Sequence, residues 1–336
     1  MQIPIKVAQF SKPINNWGKV TGNVDEVIYN VIGNDATRVA AMMSGELDVM
    51  EPVPVQDVDR LKANDKLKVL QGPELRAIFL GMDQKRDELL FSNVKGKNPF
   101  KDVRVRKAFY QAIDIETIKS RVMRGAATPL ALMYPPQVNG FPADLAKRLP
   151  FDVEASKKLL AEAGYPNGFK TTIRVLTEPP FINIASSLQA TLAQAGIQAT
   201  IVTGTGNQVY GAMRARNFEM IVARGAERYP HPYFSLRTFA YNPNNSDDAG
   251  LPNFQGWRAS FFNPQLNSLI DQAGVTRDAA QRVSLYHQAQ TLYDQQVGPI
   301  LMISQMTDTV VSAADVKGFD GDDAEATRYL GVYKQR

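Results

Sequence analysis

The amino-acid sequence predicts an α/β protein of two lobes, each a mixed sheet flanked by helices. Three observations carry that class. Strand and helix patterns alternate as β-α-β-α-β between residues 27 and 82, and again between residues 171 and 224. A turn-rich, charged link, Lys95-Gly96-Lys97-Asn98-Pro99, separates the two blocks and sets the expected division at 97/98. With 336 residues, 44% of them hydrophobic, the chain can bury one or two full cores without disulfides.

The first block opens after a Pro/Asn/Gly-rich stretch at residues 13–23. Val27, Tyr29 and Val31 alternate with Glu26, Ile28 and Asn30, the period of a half-buried strand. Asp35 is expected to cap a helix with Val39, Ala40, Met42 and Met43 at its apolar positions, and Gly45 to end it in a left-handed turn. A short strand at 47–50, a helix at 55–62 after the punctuation of Pro52 and Pro54, and strands at 67–70 and 77–82 complete the block.

Beyond the link, Asp102 is placed to cap a helix whose Val105, Ala108, Phe109, Ala112 and Ile113 share one face. A second helix is predicted at 116–124, and the proline-rich stretch 129–150 reads as extended surface loop. Residues 151–166 form the clearest helix pattern in the chain, with Asp152 as cap and Gly164 and Pro166 as stops. Strand 171–177, helix 183–195, strand 197–203, helix 208–217 and strand 218–224 make the second alternating block. Helices at 265–273 and 278–296 and strands at 300–304 and 307–312 close the chain.

Composition narrows the chemistry. There is no cysteine, which excludes thiolate catalysis, disulfides and cysteine-ligated metal centres. Lys plus Arg number 38 against 34 acidic residues, a net charge of +4, and no run of like charges marks a nucleic-acid patch. His231 and His287 are the only histidines, and neither has a second one at metal-ligand spacing, so no metal site and no cofactor is expected. No nucleophile elbow, His-Glu-x-x-His or paired catalytic carboxylate pattern appears, which argues against an enzyme. No apolar run is long enough to span a bilayer, and the opening residues lack the pattern of a secretory signal.

Two loops attract attention on chemical grounds. Thr203-Gly204-Thr205-Gly206-Asn207 joins a strand to a helix, but lacks the remaining residues of a dinucleotide or P-loop fingerprint and reads as a plain β-α turn. The stretch from Arg224 to Phe234 follows the carboxyl end of a strand, where α/β folds place ligands. Arg224 and Arg228 offer forked donors, Glu227 a negative charge, and Tyr229 and His231 rings that can enclose a solute.

Several motifs match a known family. Residues 100–114 read F-x-D-x-R-V-R-x-A-x-x-x-A-I-D, and residues 152–169 read D-x-x-x-S-x-x-L-L-x-E-A-G-Y-P-x-G-F. Residues 36–48 add a-T-R-v-a-a-x-x-S-G-e-x-D. These resemble the extracellular solute-binding proteins of family 5, the peptide, nickel and opine receptors of ABC importers. The resemblance implies a two-lobed periplasmic-binding-protein-like fold of the class C type, with lobe I at 1–97 and 306–336, incomplete at its start, and lobe II at 98–305. It also implies a monomeric periplasmic receptor that captures a small solute in an interlobe cleft and delivers it to ABC permease subunits, with no nucleic-acid partner.

The same resemblance bears on individual residues. Peptide-binding members carry A-D-Y-x-x-P where this chain has Glu227-Arg228-Tyr229-Pro230-His231-Pro232, so Arg228 stands where their aspartate holds an α-ammonium group. An arginine there attracts a carboxylate or phosphate, which implies an acidic or polyol-like solute over an ordinary peptide. Residues 253–264 resemble the family's N-x-x-g-y-x-N-P turn bordering the cleft, which adds Phe254, Trp257 and Arg258 as ligand-contact candidates. The expected function is therefore solute binding for transport. A binding module that does not serve transport and an α/β enzyme are the alternatives.

Overall fold

The computed structural model describes residues 22–24, 27–226, 231–318 and 332–335. In chain order the elements are α1 (Asp35–Ser44), β1 (Val49–Met50), α2 (Val58–Lys62), β2 (Leu67–Met82), α3 (Val103–Gln111), α4 (Ile115–Thr117), β3 (Ala127–Pro129), α5 (Val153–Glu162), β4 (Lys170–Leu176) and α6 (Pro179–Gln194). There follow β5 (Gln198–Gly204), α7 (Gly206–Arg214), β6 (Met220–Ala226), α8 (Pro232–Phe239), α9 (Gln255–Arg258), α10 (Pro264–Val275), α11 (Ala279–Gln295), β7 (Ile300–Ala313), β8 (Val316–Lys317) and β9 (Tyr333–Lys334). Where the sequence pattern predicts two pairs of short strands, β2 and β7 are each one continuous strand. A break in hydrophobic alternation interrupts the burial pattern while the strand continues.

The chain divides into two compact units, one ending at Glu74 and resuming at Thr307, the other spanning Leu75–Met306. The return crossing lies between Met306 and Thr307, within β7. The outward crossing lies inside β2, because Arg76 to Met82 pair with Ala226 to Met220 and belong to the sheet of the second unit.

In the first unit Asn34, one residue earlier than expected, caps α1 by accepting the Thr37 N–H at 2.9 Å. Asp35 instead pairs with Arg38 at 2.6 Å, and Arg38 also donates to the carbonyls of Ile32 and Pro52, which is how an arginine occupies a core position. Gly45 ends the helix at φ 81° as expected. Residues 27–31 do not form a half-buried strand: Ile28, Tyr29 and Val31 are exposed, and alternation makes a strand only where one face packs. Met43 also turns outward, leaving Met42 to fill the core.

The apolar core of this unit is a cluster of Val39, Met42, Met50, Val53, Val58, Leu61 and Val311, with Val310, Val316 and Val332 in a separate group. Such small cores open at low free energy. Backbone amides of α1 and α2 are therefore expected to exchange with solvent well before those of α6 and β4, read by hydrogen–deuterium exchange mass spectrometry. Equal protection in the two units would contradict this.

The second unit is built on a sheet in the order β7-β2-β6-β4-β5, with β3 also on β7. β2 runs antiparallel to β6, while β4 runs parallel to both β6 and β5. α6 joins β4 to β5, and α7 leads from β5 back past β4 to β6; right-handed connections of opposite direction lie on opposite faces of a sheet. The core runs continuously from Leu75 to Ile303. Contrary to the surface loop expected at 129–150, Leu130, Leu132, Met133, Tyr134 and Val138 are buried. Proline density marked an irregular backbone, but the apolar side chains between the prolines take it inside.

The motif residues prove to be caps and clamps. Asp102 caps α3 by accepting the Arg104 N–H at 2.8 Å, and the Arg104 guanidinium donates back to Asp102 at 2.6 Å and to the Glu162 carbonyl at 2.7 Å. Arg106, only 6% exposed, donates to four carbonyls: Phe100 at 2.8 Å, Lys101 at 3.0 Å, Gln296 at 2.7 Å and Val297 at 2.6 Å. Asp152 caps α5, and the Ser156 hydroxyl donates to the Ala108 carbonyl at 2.9 Å, tying α5 to α3.

Candidate functional site

The parallel strands β4 and β5 end level at Leu176 and Gly204, β6 continues past Val222, opposite Val175, to Ala226, and the carboxyl ends of all three open on one edge of the second unit's sheet. Because β2 is antiparallel to them, its start shares that edge, with Arg76 opposite Ala226. Each strand end feeds a helix or loop there. Glu178 stands at the N-terminus of α6, and Thr205 at that of α7.

Arg224 is the sequence-predicted candidate found at this edge. Its guanidinium lies 3.8 Å from the Glu178 carboxylate, with the two side chains 34% and 53% exposed. The buried Phe181 ring lies 5.6 Å beneath it. Phe181 comes from the first turn of α6, so one helix start supplies both the acid and the ring that hold the arginine. Gly225, next in the strand, must be glycine because a Cβ there would meet the Phe239 ring at 2.6 Å. That ring packs edge-on against Phe79 at 5.6 Å.

The neighbouring turn is closed by its own residues. Gln208 Oε1 accepts the Thr205 N–H at 2.9 Å in a capping box, as a plain β-α turn requires.

Glu227, Arg228 and Tyr229 lie outside the described residues. His231 caps α8, its Nδ1 accepting the Tyr233 N–H at 3.3 Å, and its ring meets Tyr286 at 5.7 Å and Phe234 at 6.2 Å. Partial burial and the Arg282 charge hold its pKa below the usual histidine value, so it is neutral at pH 7. Phe254 belongs to the same aromatic region, packed with Tyr241 at 6.2 Å and with Arg237 over its ring at 5.4 Å.

Trp257 and Arg258 sit on α9 in the interior, at 4% and 6% exposure. The Trp257 indole donates to the Ser246 carbonyl at 2.9 Å and carries the Arg216 guanidinium over its face at 3.7 Å. Arg258 donates to the Pro252 carbonyl at 2.7 Å and to Gln255 at 3.2 Å, and burial lowers its pKa to about 10. Both hold the 246–258 loop in place, and neither is brought beside Arg224 by any contact among the described residues. Glu178 and Phe181 were not anticipated. The usable signal was their position just after the strand at 171–177, by the same rule that singled out Arg224.

Among the described residues no group of three or more His, Cys, Asp or Glu could hold a metal ion, and no helix is long and apolar enough to cross a membrane. The architecture is that of periplasmic-binding-protein-like folds. It superposes on the ABC transporter-associated periplasmic binding protein DppA from Helicobacter pylori, in complex with peptide STSA, with a TM-score of 0.82 at 24% identity over 95% of this chain and 59% of that one. Residues 8–247 match the family described as bacterial extracellular solute-binding proteins, family 5 Middle, and the chain belongs to that family.

The chain is also similar to the glutathione-binding protein GsiB of Shigella flexneri serotype 5b, at 25% identity over 86% of this chain and 53% of the relative. A second relative is heme-binding protein A of Haemophilus influenzae, at 25% identity over 90% of this chain and 53% of the relative. The chain thus spans 53% of the length of these curated relatives. They are binding proteins, not enzymes.

Proposed function

We propose that the chain captures a small carboxylate-bearing solute for an ABC importer, using Arg224 at the carboxyl edge of the second unit's sheet. The observation that carries this reading is the Arg224–Glu178 pair, part exposed and 3.8 Å apart. An ion pair of that kind contributes about 0–1 kcal/mol, so a solute carboxylate can take over the guanidinium in a bidentate pair at little cost. Glu178 then faces an ammonium or hydroxyl on the same solute. Relatives are named for glutathione and heme, both of which carry carboxylates. Arg228, close behind in the sequence, adds a second cation and favours an acidic, opine-like or polyol-like solute over an ordinary peptide. The receptor works outside the cytoplasmic membrane as a monomer and hands its solute to the permease subunits.

A thermal-melt screen against glutathione, hemin, dipeptides, opines and sugar acids tests this reading. A solute at a hundred times its Kd adds about 2.7 kcal/mol of stability. Arg224→Ala is expected to weaken binding of the responding solute at least about tenfold, the value of one charge-assisted contact. A melt shift that survives the substitution in full overturns the reading.

A further inference from the structure

A cavity lies at the opposite edge of the same sheet. Met82, at the end of β2, donates its N–H to the Pro299 carbonyl at 2.9 Å, so the start of β7 lies beside the amino end of β6, away from Arg224. There a cavity of about 690 Å³ opens between α3, the 144–149 loop, the end of α11 and the start of β7. Its volume is that of a small-molecule site. Val103, Tyr110, Leu145, Leu159, Leu301 and Met302 give it mainly apolar walls. Val103, Lys107 and Tyr110 follow one another at i, i+4 and i+7, so α3 turns one stripe toward it, and the Val103 side chain is left 42% exposed.

Pairing sorts the charges around this cavity. Arg104 is held by Asp102, and Asp144 by His287 Nε2 at 2.8 Å. Lys107 on α3 and Lys147 on the 144–149 loop make no hydrogen bond and no ion pair among the described residues. Arg148 stands in the chain between the lining residues Lys147 and Leu149, with its guanidinium 4.6 Å from the centre of the Tyr110 ring. Its Nη1 donates to the carbonyls of Leu130 and of Met302, the latter at 2.6 Å. Its Nε and Nη2 are buried with no acceptor, and no carboxylate pairs with it among the described residues. Against these three cations the cavity has one unpaired acid, Asp294 on α11, which is exposed and accepts from Gln290 at 2.7 Å. The balance is positive. Water and salt screen Asp294 as they screen the two lysines, whereas the guanidinium behind the Tyr110 wall is sheltered from both.

We propose that this cavity is a second ligand site, independent of the edge at Arg224, and that it takes an organic carboxylate with an apolar body. The body packs on the walls supplied by α3 and β7, and Lys107 and Lys147 meet the carboxylate in the field of Arg148.

The test titrates the chain with naphthylacetate, with naphthylacetamide as the uncharged probe of the same shape and naphthylethylamine as the cation, following the Met302 methyl group by NMR. Naphthylacetate is expected to bind at least about fivefold more tightly than the amide, and the amine more weakly than either. The double variant Lys107→Ala with Lys147→Ala removes two exposed, unpartnered side chains, so folding is not at risk. It should lower naphthylacetate affinity about fivefold and leave amide affinity unchanged. Asp294→Asn should tighten naphthylacetate about twofold. Arg224→Ala should leave the Met302 response intact, so this site and the one at the carboxyl edge stand or fall separately. Amide or amine bound as tightly as the acid, naphthylacetate affinity unchanged in the double variant, or no Met302 response in the wild type would each overturn the proposal.

Discussion

Replacing Arg106 with alanine is expected to cost about 3–5 kcal/mol of stability, because four carbonyls lose a charged donor at once and each buried unsatisfied acceptor costs about 1–3 kcal/mol less whatever water recovers. The guanidinium joins the turn before α3, through Phe100 and Lys101, to the end of α11, through Gln296 and Val297, at 2.6–3.0 Å. Its burial lowers its pKa to about 10, and it remains charged at pH 7, so every one of these bonds is charge-assisted. Arg106→Lys should fall between wild type and alanine, since an ammonium cannot reach four acceptors in a planar fork. Urea unfolding reads the effect as a lower midpoint at unchanged slope. A loss under about 1 kcal/mol would mean that water replaces the side chain without penalty.

Gly168→Ala is expected to cost about 3 kcal/mol or more, while Gly196→Ala, directly opposite, costs about 1–2 kcal/mol. Both glycines have positive φ, 67° and 91°. They differ in what a methyl group would meet. At Gly168 a Cβ would stand 1.9 Å from the Gly196 carbonyl oxygen, a backbone atom fixed at the start of β5, whereas at Gly196 the nearest atom is the Gly168 nitrogen at 3.4 Å. The asymmetry is the informative part, and the same unfolding assay reads it. Equal losses at the two positions would show that backbone conformation alone sets the cost.

These residues explain why much of the fold was legible. The motif that suggested the family consists of Asp102, Arg104, Arg106, Asp152, Gly164 and Gly168, and in the structure they cap helices, clamp carbonyls and turn the chain. Caps and turns are local chemistry, so spacing reveals them. The alternation of β4, α6, β5, α7 and β6 was readable for the same reason. Burial that depends on distant partners was not. Tyr134 lies in a proline-rich stretch yet packs inside, and Arg216 is buried because the Trp257 ring and the Asn245 carbonyl, distant in sequence, receive it.

The site shows the same division. Arg224 was found from the end of its strand, but Glu178 and Phe181, which hold it, come from another connection. Trp257 and Arg258 carry the residue types of a binding loop while serving as its internal supports. Nothing in the local pattern distinguishes the two arginines; their partners differ, a part-exposed carboxylate at 3.8 Å for Arg224 and a backbone carbonyl at 2.7 Å for Arg258.

The most direct test of solute capture at the carboxyl edge is a crystal structure of the chain with the solute that gives the largest melt shift. The account predicts the solute's carboxylate in a bidentate pair with the Arg224 guanidinium, with Glu178 turned to a polar group on the solute. A solute bound elsewhere, with Arg224 still paired only to Glu178, would contradict it.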